Sequence, residues 1–159
     1  NATALQSRSA IAPPAHAATR GGQNCTFTVG YWKNHSGAWP VGSLALGNRM
    51  YSKAQLLGIL AQPVQGNGLV SLARQTIATK LNRANGASEL EAEASLTMSD
   101  WFIGTHAIPP VGAAFLDPGL TASTTQTLDD FNNGIIGPGQ CATSVGPETW
   151  GRIKATYRN

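Results

Sequence analysis

The sequence predicts an α+β, mainly helical chain: a small disulfide-closed helical module with short strands and extended N- and C-terminal segments. Three observations carry that reading. Apolar residues recur at helical spacing between Ser52 and Ile103. The two cysteines, Cys25 and Cys141, bracket that region. The stretches outside them differ in character from what they flank. The expected organisation is an extended segment over 1–24, a module over 25–141 and an extension over 142–159.

Residues 1–24 are rich in Ala, Ser, Thr and Pro, carry Arg8 and Arg20 without an acid, and end in Gly21-Gly22. Such a segment is expected to be ordered only against a surface, either its own module or a neighbouring subunit. Leu5 and Ile11 are its candidate docking residues. From Thr26 to Tyr31 polar and apolar residues alternate, which predicts a short strand presenting Phe27, Val29 and Tyr31. Trp32 to Pro40 then reads as an aromatic, turn-rich loop.

Ser52 to Gln62 predicts a helix, with Ser52 as N-cap, Leu56, Leu57 and Leu60 on one face, and Pro63 as the stop. Asn67 to Asn85 predicts a longer one. Leu69, Leu72, Ala73, Ile77, Lys80 and Leu81 follow the 3,4 spacing and Gly86 suits the C′ position. Ser88 to Ile103 predicts a third helix, with Ser88 and Glu91 as a capping box and Leu90, Ala94, Met98, Trp101 and Phe102 as its apolar side. Pro109-Pro110 to Pro118-Gly119 reads as loop, Thr125 to Asn132 as a short helix with Leu128 and Phe131 inward, and Gly134 to Cys141 as turn. At the C-terminus Arg152 to Arg158 alternates strictly. Ile153, Ala155 and Tyr157 face one way and Arg152, Lys154, Thr156 and Arg158 the other, which predicts an amphipathic strand in need of a partner edge.

Hydrophobic residues make up 42% of the 159, enough for a core, whereas charged residues are only 12%. The net charge of +3 is small and scattered, which argues against a nucleic-acid binder. No apolar stretch is long enough for a membrane span. The first residues, Asn-Ala-Thr-Ala-Leu, lack the basic and apolar regions of a signal peptide, so the expectation is a mature secreted chain. In an oxidising compartment Cys25 and Cys141 would pair and close a loop of more than 100 residues, worth roughly 4–5 kcal/mol of chain entropy before strain. The rival reading is a catalytic Cys with a His partner. Sequons stand at Asn1, Asn24 and Asn34 and matter only in a eukaryotic source.

The run Cys25-Thr26-Phe27-Thr28-Val29-Gly30-Tyr31-Trp32-Lys33-Asn34-His35, with Trp39-Pro40, resembles the opening of a family of secreted bacterial domains carrying a C-x-x-T-x-G-(Y/F)-W-K-x-H signature. Leu46-Gly47-Asn48, Leu56 to Leu60, Ala78 to Asn82 and Leu128 to Gly134 also look like that family, as does the closing Gly137-Pro138-Gly139-Gln140-Cys141. The resemblance covers about residues 25–141. It implies an extracellular compartment and no particular activity. It supports the disulfide, since the motif starts and ends on a Cys. Gln140 stands where a His is expected, which weakens a metal role there.

Tyr31, Trp32, Asn34, His35 and Trp39 form the candidate ligand-binding cluster, with aromatic faces for a sugar ring and polar groups for its hydroxyls. The plainer reading is a structural turn with the Trp rings in the core. His16, His35 and His106 lack zinc-ligand spacing. Asp129 to Gly134 has the oxygen-rich look of a calcium loop but is too short, so a capped helix end explains it better. No G-x-S-x-G occurs, and Glu89, Glu91 and Glu93 read as solvated. No catalytic residue, cofactor or metal is expected. The leading expectation is therefore an extracellular structural protein, the subunit of a self-assembling filament or surface layer. Its terminal segments would dock on neighbouring subunits, and Leu5, Ile11, Ile153, Ala155 and Tyr157 are the assembly residues. A carbohydrate-binding module is the alternative, and a small secreted hydrolase the second.

Overall fold

The computed structural model describes residues 23–142. The elements run in order: helix α1 (Val29–Asn34), a 3-10 turn (Ser36–Ala38), strands β1 (Ser43–Leu46) and β2 (Arg49–Ser52), then helices α2 (Lys53–Ala61), α3 (Gly68–Ala84), α4 (Glu93–Ile103) and α5 (Pro118–Asn132). The described chain is thus mainly helical with one small antiparallel sheet. The terminal segments, with Leu5, Ile11, His16, the Asn1 sequon and the 152–158 strand, lie outside the described residues.

Helix α3 is the axis. Leu69, Leu72, Ala73, Ile77, Ala78 and Leu81 on it are fully buried. A helix apolar on more than one side has to be surrounded. α5 lies along it most extensively, and α1, α2, α4 and β1 cover the rest. Its N-cap is Asn67, whose side chain accepts from Leu69 N at 2.9 Å. Helix α2 starts on the expected Ser52, which with Gln55 forms a complete capping box. The hairpin between β1 and β2 pairs Leu46 with Arg49 across Gly47-Asn48. Gly47 has φ +62°, and a Cβ there would collide with the backbone of Gly104. Only glycine suits both demands.

The ends of the module meet. Cys25 and Cys141 form a disulfide with Cα atoms 4.8 Å apart and a sequence separation of 116. Beside it, Thr26 N donates to Gly139 O and Cys141 N to Thr26 O, both at 2.8 Å, a single parallel bridge of Thr26 with Gln140.

Several expectations are corrected. Thr26 to Tyr31 is not a strand. Thr28 N-caps α1 by accepting from Tyr31 N at 3.0 Å, and Phe27, Tyr31 and His35 stack at helical intervals of four. Three alternating apolar residues fit either period, and the cap decides. Residues 32–40 hold helix and 3-10 turn rather than loop alone. α5 begins at Pro118, seven residues before the expected Thr125. Asp117 caps it through Gly119 N at 2.8 Å, and the proline occupies the first turn, where no N–H is needed.

Helix α4 differs most. The Ser88–Glu91 capping box does not form, since Ser88 N donates to Asn24 Oδ1 at 2.7 Å and the helix starts at Glu93. Its inward residues are Leu96, Ser99 and Ile103. Leu90, Met98 and Trp101, expected inside, are exposed by 75%, 45% and 73%. Polar pairing sets this rotation. Ser99 and Thr76 share a hydroxyl–hydroxyl hydrogen bond, and Asp100 meets the buried Lys80 of α3 at 2.8 Å.

Candidate functional site

The motif residues of the first third fold onto a buried polar knot. Asn82 on α3 accepts from Phe27 N at 2.8 Å and from Trp32 Nε1 at 3.0 Å, and donates to Phe27 O at 2.9 Å. It also donates to Asn132 Oδ1 at 2.9 Å. Asn132 at the end of α5 accepts in addition from Thr79 Oγ1 and donates to Gln75 O and Oε1. Two buried amides thereby satisfy nearly all their capacity and bind the start of the module, α3 and α5 together.

Of the five candidate ligand-binding residues, two are placed in the core. Trp32 is 1% exposed and Trp39 8%. Trp39 Nε1 donates to Trp32 O at 2.8 Å, and Lys53 sits over the Trp39 ring. Neither ring face is free to stack on a sugar, which corrects that assignment for both tryptophans. Tyr31, Asn34 and His35 remain nearer the surface. The Tyr31 ring is stacked between Phe27 at 3.8 Å and His35 at 4.2 Å, and His35 Nδ1 lies 2.9 Å from Tyr31 O. Phe27 belongs to this stack although sequence reasoning assigned it to a strand.

The other chemical candidates are spoken for. Cys25 and Cys141 are bonded to each other, so neither sulfur is a free nucleophile. His106 Nδ1 lies 2.9 Å from Ile103 O. Asp129 accepts from Gln75 Nε2 and Asp130 from Gln126 Nε2, each at 2.9 Å, so the Asp129–Gly134 run closes α5. Among the described residues no three His, Cys, Asp or Glu side chains are grouped as a metal site would need. Nor is any helix of the described residues long and apolar enough to cross a membrane.

Two hollows among the described residues bear on the site. One, of about 370 Å³ between α3 and α5, is lined by Ser71, Gln75, Thr121, Gln126 and Asp129 with neighbours. Gln75 and Asp129 are already paired with each other there. The other, of about 350 Å³, lies on the outer side of α4 and is lined by Ala94, Thr97, Met98 and Trp101. Trp101 packs edge-on against the half-buried Phe102, 5.3 Å between ring centres, and leaves most of its own ring in solvent. Leu90 stands in the turn that leads into the helix. These apolar side chains stand exposed side by side, which makes this face a candidate contact surface. The apolar residues were legible in the sequence, but spacing alone assigned them inward.

No protein-family model matches the chain, and neither curated proteins nor solved structures give a match.

Proposed function

We propose that the protein is an extracellular structural subunit that assembles with copies of itself through its terminal segments. The observation that carries this reading is the closure of the module. A disulfide and a backbone bridge tie its two ends at one point, around a core of described residues that runs from Trp32 to Phe131. Residues 1–22 and 143–159 flank that closed point in the sequence. They carry the candidate docking residues Leu5, Ile11, Ile153, Ala155 and Tyr157. A segment that adds its apolar side chains to a neighbour gains about 25 cal/mol per Å² buried. If each copy gives to one neighbour and receives from another, the contact propagates into a fibre or layer. The disulfide is consistent with an extracellular location.

Truncation tests the reading. Removing 1–22 or 143–159 should leave a cooperatively folded module of single-copy mass in light scattering, while the full chain forms larger species. Assembly undiminished by either truncation would contradict it. The sugar-binding alternative rests on Tyr31, Asn34 and His35 and would require retention on a polysaccharide column that Tyr31→Ala removes.

A further inference from the structure

On the reading of the protein as a self-assembling subunit, we propose that the outer face of α4 is the acceptor, and that the C-terminal segment 143–159 of a neighbouring copy is what covers it. The face offers Leu90, Ala94, Met98 and Trp101 to solvent, with a hollow that runs from Ala94 to Trp101. Met98 supplies an adaptable surface and Trp101 a large anchoring ring.

Length, charge and position select the occupant. α4 has 11 residues, about 16 Å. The alternating stretch Arg152–Arg158 spans about 23 Å as a strand, so Ile153, Ala155 and Tyr157 on its one side can run the length of the helix. The acceptor is acidic at its start. Glu91 and Glu93 are exposed, and neither is in an ion pair among the described residues. The C-terminal segment carries Arg152, Lys154 and Arg158 against the single acid Glu148. In the alternating pattern these cations lie on the side opposite the apolar residues, so they favour the acidic end through the segment's net positive charge rather than through paired contacts. The N-terminal segment has two arginines and no alternating apolar side, and fits less well.

The exit point leaves enough chain to reach a neighbour. The loop before Cys141 runs beside Glu91, since a Cβ on Gly137 would lie 3.9 Å from Glu91 Oε1. The ten residues between Ala142 and Ile153 extend to about 33 Å. That is enough to cross to the α4 of another subunit, the direction that self-assembly through the terminal segments requires.

The test uses the full chain with Trp101→p-benzoylphenylalanine, co-assembled from equal parts of nitrogen-14 and nitrogen-15 protein and irradiated. The expected products join residue 101 to a peptide within 143–159, with about half of the pairs carrying mixed labels. The same photoprobe at Phe115, which is also exposed, should not give them. Pairs without mixed labels would mean that the segment folds back on its own copy, and would overturn the proposal. Cross-links from 101 to other peptides within intact assemblies would overturn the acceptor while leaving self-assembly standing. A single-copy mass in light scattering would overturn both. A charge exchange adds an independent readout: Glu91→Lys with Glu93→Lys should reduce assembly several-fold, and adding Arg152→Glu with Lys154→Glu should restore it. No restoration would contradict the charge complementarity.

Discussion

Two regions of this molecule invert the usual placement of side chains. Around Asn82 and Asn132 polar groups are buried, and on the outer face of α4 large apolar groups stand in solvent. The first inversion is explained within the described residues, because every arm of the two amides finds a partner. The second has no partner there. A buried polar group that is fully hydrogen-bonded is a device for uniqueness of fold. An exposed apolar stripe is the kind of surface on which the proposed assembly would draw. The contrast separates what builds the module from what it offers to others.

Breaking the closed end should have the largest effect on folding. Replacing Cys25 and Cys141 together by Ser should cost about 4–5 kcal/mol and lower the melting temperature by roughly 10–15 °C, read by calorimetry. Asn82→Ala comes next. It strips Phe27 N, Trp32 Nε1 and Asn132 of a buried partner and should cost about 3–4 kcal/mol in urea unfolding. Asp100→Ala leaves the buried Lys80 with only Ala45 O and takes the acceptor from Gly47 N. The cost should be about 2–3 kcal/mol, below that of a fully buried pair, because Asp100 keeps about a third of its side chain in water. Trp101→Ser should change the unfolding free energy of the module by no more than about 0.5 kcal/mol and yet suppress assembly. That last result would sharpen the comparison most, since stability and association would be shown to reside in different places. A large loss of stability in Trp101→Ser would instead make α4 part of the core.

Helices α2 and α3 were the most legible. Ser52 and Asn67 sit one residue before α2 and α3, and the 3,4 stripe of α3 is buried as its spacing implies. Even Lys80, a charge on that stripe, stays inside because Asp100 and Ala45 O receive it. Proline misled at α5, where Pro118 opens the helix instead of ending a loop. α4 shows the limit of hydrophobic spacing. Its rotation follows from Ser99 meeting Thr76 and Asp100 meeting Lys80, contacts between residues 20 or more apart in the chain that no local window contains. The burial of Trp32 and Trp39 has the same kind of cause. Trp32 reads as a ring available to a ligand until Asn82, fifty residues on, is seen to hold its indole N–H.

Electron microscopy of the full-length protein under native, non-reducing conditions, paired with the chain lacking 143–159, tests the central claim most directly. Ordered filaments or sheets from the full chain, reduced to separate particles by the truncation, are the predicted result. Separate single-copy particles from the full chain would contradict the account.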